Sequence, residues 1–251
     1  MKKRITLALI SLVLALILVA PVVVSAADQG KGPPDLERIV FIHSKFQDVK
    51  PGGNTSKNPA LYSYSRYHWS SPTIPYYYNP SGSPVTNAEQ GVTTSFATWN
   101  DTASSVYFDY KGITTAYVPG VDVALPDYKN VVGWAKLNDP DTIGLTIIWS
   151  NSKTKLVVDV DTVFNLDSWL TWSQTSVSGD PDTAPLLTNT SAYDCDVQGI
   201  MTHEAGHWLV LNDLYTNAAA AQTMYGYASD REVKKRSLES GDIAGVLKIY
   251  P

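Results

Sequence analysis

His203-Glu204-Ala205-Gly206-His207 is the segment whose residue types and spacing can do chemistry. On a helix, a separation of four puts both imidazoles on one face, one turn apart. Two ring nitrogens can then reach one zinc ion at bond lengths of about 2.0–2.1 Å. Glu204 projects beside the same ion without having to bind it, and can take a proton from water held there. The alternative is two satisfied histidines on a core helix. With 4 histidines in the chain, a chance match to the pattern is on the order of one per cent or less.

A catalytic zinc takes three protein ligands and leaves one position for water. Asp213, six residues after His207, can supply the third from just past the helix end, or can simply close that helix. His43 and His68 are remote in sequence. A glutamate on a later helix could supply the third ligand instead, for which Glu232 and Glu239 are candidates.

The elements that must position these groups follow from pattern. Val197, Ile200, Met201, Leu209 and Leu211 carry a helix through the histidines, with Asp194 or Asp196 as cap. Asn87 to Asn100 is a second helix, with Val92, Phe96 and Trp99 inward. Ser240 can cap a last one with Ile243, Val246 and Leu247 as its apolar stripe. Strands are expected at 73–78, 106–110, 131–136, 145–149 and 156–164. In the last of these, Val158 and Val160 oppose Asp159 and Asp161 across the strand. Strands first and helices late argue α+β. Residues 27–66 read as an N-terminal extension or short pro-region, with one strand at Ile39–Ile42, and 67–251 as the main domain.

The chain has 251 residues, 44% hydrophobic, and a formal charge of -5. That balance is enough for a core and gives no basic surface for nucleic acid. Lys2, Lys3 and Arg4 precede a nearly unbroken apolar run to Val24, and Val24-Ser25-Ala26 offers small cleavage residues. Residues 1–26 therefore read as a signal peptide of a secreted, extracellular protein, with an uncleaved membrane tether as the alternative. After cleavage no membrane association is expected. The single cysteine, Cys195, excludes an internal disulfide framework and reads as a small buried residue. Asn54, Asn100 and Asn189 fit the glycosylation pattern and hint at surface positions. Oligomeric state is not legible.

With these residues assembled, His203 to Asp213 resembles the elongated zinc motif of the metzincins, HExxHxxGxxH/D, and of the matrixins within them. His203, His207 and Asp213 fall on its ligand positions and Glu204 on its general base. Thr223-Met224-Tyr225-Gly226-Tyr227 resembles the Met-turn, and Gly241 to Tyr250 the closing helix. His68-Trp69 with Ile74 to Tyr77 resembles the first strand. The likeness spans about residues 66–251. It implies a metzincin-type domain: a twisted, mixed, five-stranded sheet with an N-terminal helix, an active-site helix and a C-terminal helix. It implies a zinc-dependent endopeptidase acting on a peptide or protein substrate, which would add as a strand beside Gly144 to Trp149. Met224 would floor the metal. Tyr225 or Tyr227 would line the pocket or assist the oxyanion, aromatic packing being the alternative.

Three departures stand out. Val210 occupies the glycine position, where the chain turns with positive φ, a strained choice for a β-branched residue. This favours the competing reading of a secreted binding or adhesion domain with structural zinc only. The cysteine switch is missing, and His43 or Asp48 in the extension could take its place at the open position. The histidines of the structural zinc site are also missing, while acidic loops around Asp139 and Asp141 leave structural calcium open.

Overall fold

The computed structural model describes residues 35–45, 60–116, 125–174 and 193–251, within one unit, Lys31–Pro251. The export segment, Asp48, and the patterns at Asn54 and Asn189 lie outside the described residues. Among the described residues no helix is long and apolar enough to cross a membrane.

The elements are β1 (Leu36–Lys45), β2 (Thr73–Tyr78), α1 (Ala88–Asn100), β3 (Tyr107–Ile113), β4 (Val131–Ala135), β5 (Thr142–Asn151), β6 (Val157–Asn165), β7 (Leu170–Ser173), β8 (Tyr193–Asp196), α2 (Val197–Trp208), β9 (Tyr227–Ala228) and α3 (Ser240–Ile249). The main sheet runs β3-β2-β4-β6-β5-β1-β9. Its pairings are parallel except for β5, which is antiparallel to both β6 and β1. β7 and β8 form a separate parallel ribbon. The class is α+β with a mostly parallel sheet.

The five strands read from sequence are β2 to β6, but the expected five-stranded sheet is corrected to seven. Glycine- and proline-rich flanks make residues 27–66 read as an extension. Between those flanks, Leu-Glu-Arg-Ile-Val-Phe-Ile-His is β-rich, and β1 pairs with β5 through nine residue pairs. β5 is therefore an interior strand, and not the open edge that a substrate adding beside Gly144 to Trp149 requires.

The expected alternation on β6 also changes. One core lies between the sheet and α1 and α2. A second, of Val131, Leu145, Ile147, Trp149 and Val163, covers the other face. Asp159 and Asp161 consequently sit in the interior rather than on a wet face.

Helix α1 buries Val92, Phe96 and Trp99. The indole of Trp99 donates to Thr202 O at 2.8 Å, fixing α1 on α2. Asn87 precedes α1 but makes no side-chain cap; its amide donates to Gln174 O instead. Asn100 exchanges two hydrogen bonds with the Phe108 backbone, so its side chain serves the fold and not an exposed acceptor site. On α3 the cap is Glu239 with Asp242 in a capping box, not Ser240. Ile243 is exposed, which corrects the expected stripe, while Val246 is buried.

Candidate metal centre

Asp196 caps α2 by accepting from Gly199 N at 2.7 Å, and Arg236 grips the same carboxylate with two hydrogen bonds. The helix stops at Trp208, three residues before the expected end. Its exit is a Schellman turn: Leu211 N donates to Gly206 O at 3.1 Å and Val210 N to His207 O at 2.8 Å. That turn needs a left-handed residue after the cap, normally glycine. Val210 takes the role at φ 62° while fully buried. The path to Asp213 is thus kept despite the β-branched residue, at a backbone strain on the order of 1–3 kcal/mol.

Three ligand atoms converge. His203 Nε2 and His207 Nε2 are 3.2 Å apart. Asp213 Oδ1 lies 3.1 Å from the first and 3.5 Å from the second. A tetrahedral metal ion with bonds of about 2.0–2.1 Å sets neighbouring ligand atoms about 3.3 Å apart. The triangle therefore fits such an ion, and these three residues form a group able to hold one.

The outer nitrogens are fixed too. His203 Nδ1 meets Thr223 O at 2.7 Å and His207 Nδ1 meets Leu211 O at 2.8 Å. A carbonyl can only accept, so each Nδ1 carries the proton and each Nε2 turns a lone pair inward. Burial pulls His203 down to about 4, which keeps its imidazole neutral at pH 7. Burial opposes ionisation of Asp213, yet His207 and His203 hold it well below the usual carboxylate range.

Glu204 is fully buried. Thr146 on β5 donates to its Oε2 at 2.6 Å. Thr162 on β6 lies 2.6 Å from Thr146 and receives the Trp208 indole N–H at 2.9 Å. Since the Thr146 proton points at the carboxylate, Thr162 donates to Thr146, and the chain of hydrogen bonds runs one way into Glu204. Its Oε1 has no hydrogen-bond partner. Desolvation raises the carboxyl to about 7, more than Thr146 and His207 lower it, which suits a proton acceptor near neutrality.

The loop beneath is built from the chain's end. Asp242 of α3 accepts from Thr223 N and Met224 N at 2.8 and 3.1 Å. Buried Lys235 donates to Thr223 O at 2.9 Å and to Tyr225 O. Met224 Sδ would stand 2.2 Å from a Cβ at Gly206, so only glycine lets that sulfur lie against α2. Tyr225 is buried; Tyr227 belongs to β9 and stacks edge-on with Tyr225 and Tyr215. The Tyr215 hydroxyl donates to Asp213 Oδ2 at 3.2 Å.

His68 is exposed and outside the cluster, Glu239 caps α3, and Glu232 accepts from Ser229 N. His43, remote in sequence, is brought in. Its Nδ1 lies 3.3 Å from Glu204 Oε1, out of hydrogen-bond alignment, and its ring packs 3.9 Å from that of His203. It groups with His203 and Glu204, not with the His203–His207–Asp213 set. Asp139 is satisfied by Asp141 N and Thr142, and Asp141 pairs with Lys45. The acidic group that does come together is Asp127, Asp159 and Asp161. Cys195 is buried, as expected, and burial pushes its thiol up. Sequence reading missed Thr146, Thr162, Tyr215 and Lys235. Only the Thr146/Thr162 pairing had a signal, in two hydroxyls on adjacent strands.

No protein-family model matches the chain, and no curated protein matches it.

Proposed function

We propose that the chain is a secreted zinc-dependent endopeptidase of metzincin type, similar to the matrixins. The observation that carries this reading is the triangle of His203 Nε2, His207 Nε2 and Asp213 Oδ1, whose 3.2, 3.1 and 3.5 Å edges suit tetrahedral zinc. The strand order β3-β2-β4-β6-β5 and the Met224 loop under α2 support the metzincin assignment. The cationic start and apolar run of residues 1–26 support export.

Zinc, when bound, polarises a peptide carbonyl and lowers the pKa of coordinated water towards about 7. Glu204 Oε1 takes the proton of the attacking water, because Oε2 is already engaged by Thr146. Glu204 then hands that proton to the leaving amide nitrogen. Thr146, held by Thr162 and Trp208, keeps the carboxylate aimed. Thr223 O and Leu211 O keep both imidazoles in the ligating tautomer.

The closed, fully buried state of His203, Glu204 and His207 favours a second reading, a zinc held for structure alone. Metal analysis together with cleavage of an unstructured protein, with and without chelator, separates the two. Stoichiometric zinc and chelator-sensitive cleavage uphold the peptidase. Stoichiometric zinc without cleavage upholds the structural role.

A further inference from the structure

Strand β1 lies where an extended peptide would have to lie to reach Glu204. It runs antiparallel to β5 from Leu36–Asn151 to Ser44–Thr142, and its end runs parallel to β9 at Ser44–Tyr227. The register breaks between His43 and Ser44, opposite Gly144. An added Cβ at that glycine would be 3.9 Å from Glu204 Oε1.

Alternate side chains face the centre. Phe41 stacks flat on His207, centroids 4.0 Å and planes 8° apart. His43, with no exposed surface, fills the space between Glu204 and the His203 ring. Both His43 nitrogens are buried without hydrogen bonds. Lys45 pins the far end through Asp141 at 2.9 Å and Pro140 O at 3.0 Å.

We propose that β1 is a tethered, displaceable occupant of a peptide-binding groove between β5 and β9. It holds the site latent through His43 against the Glu204 carboxylate and Phe41 on His207. The ligand class follows: an extended peptide running antiparallel to β5, with an aromatic residue over His207. The latency part rests on the peptidase reading; the groove part does not.

The test is an exchange experiment on full-length chain. A protease-recognition sequence inserted between Lys45 and Ala60 is cut, in the Glu204→Gln background with zinc present. A fluorescent peptide copying Leu36–Lys45 should then exchange in, read by anisotropy. Unlabelled copies carrying Phe41→Ala and His43→Ala should compete about tenfold or more weakly, and the reversed sequence should not compete. Equal competition by those peptides, or no exchange in a day, marks β1 as a permanent strand and overturns the proposal. Should the cut chain not fold, uncut chain with Phe41→Ala and His43→Ala must bind the labelled peptide where unaltered chain does not; refusal overturns it. Peptide exchange with no hydrolysis by cut chain retaining Glu204 sinks the peptidase reading and leaves the groove standing. Hydrolysis as fast before cutting as after removes the latency and leaves the peptidase standing.

Discussion

Two groups of ionisable side chains flank the same central strands and are built on opposite principles. At the His203–His207–Asp213 cluster, unlike groups meet: two imidazoles with fixed tautomers and one carboxylate, each supported from behind by Thr223 O, Leu211 O or Tyr215. At Asp127, Asp159 and Asp161 like groups meet, and burial adds to the mutual repulsion. Asp159 is raised to about 6 and Asp161 to about 9, desolvation first and the neighbouring aspartate second. Asp127 N donates to Asp159 and Val131 N to Asp161, which is too little to offset the burial. The first group has the ligand geometry to hold a cation beside the buried carboxylate of Glu204. The second relieves its charge by keeping protons.

If that contrast is right, the largest effect comes from the first group. Glu204→Gln keeps the shape and the Thr146 hydrogen bond but removes the base. Cleavage by β1-released chain should fall by about 10²–10⁴-fold with zinc content unchanged, read by elemental analysis beside a quenched-peptide assay. Activity within a few-fold of the parent would transfer the base role elsewhere. Thr146→Val comes next. It removes a hydrogen bond to a charged group, of about 1.5–3 kcal/mol, and leaves Thr162 without its acceptor. We expect kcat to drop about 10–100-fold with KM and zinc content unmoved. A change confined to KM would place Thr146 in substrate binding instead.

The second group predicts a pH dependence of stability. An unfolded aspartate titrates near 3.9, whereas folded Asp161 does so at about 9 and Asp159 at about 6. The native state binds the extra protons, so the stability they lend is fully present below about pH 4 and is lost as pH rises towards 9. Asp161→Asn keeps an acceptor for Val131 N and removes the share of that dependence that belongs to Asp161. At pH 8 its Tm should exceed the parent's by at least about 2–4 °C, the shift that 1 kcal/mol produces at this chain length. The gain should vanish at pH 4. A Tm gain equal at both pH values would mean Asp161 is not protonated in the fold.

The two groups also differ in how far sequence revealed them. His203, Glu204 and His207 are legible because helix periodicity turns a spacing of four into shared facing, and Asp213 because the chain leaving a helix has few paths. Asp159 and Asp161 were legible as one face of a strand. Their burial was not, because it depends on the second core laid over the opposite face of the sheet. Thr146 and Thr162 showed only as hydroxyls on adjacent strands and Lys235 not at all, because their roles depend on partners set by the fold, 16 to 58 residues away for the threonines and 10 to 12 for the lysine. Strand β1 was misread for a different reason. Its local β propensity was seen, but its long-range partner β5 was expected to be an edge, and flanking turn residues suggested a separate piece. Where non-local pairing decides the outcome, pattern gives the element and not its place.

The smallest expected effect tests the joint between helix and Asp213. Val210 is buried and left-handed at φ 62°, while Val160, between the two aspartates of β6, is equally buried but not among the positive-φ residues. Replacing either by glycine forfeits about 1.5 kcal/mol or more of apolar burial and about 0.5–1 kcal/mol of backbone entropy. At Val210 the loss is offset by relief of about 1–3 kcal/mol of strain; at Val160 nothing offsets it and a cavity adds to it. Val210→Gly should therefore change stability by no more than about 1 kcal/mol, a Tm shift within about 2–4 °C. Val160→Gly should cost several times as much. Equal losses in thermal unfolding would mean that residue 210 is not held left-handed, and that the chain reaches Asp213 by a turn other than the one seen after α2.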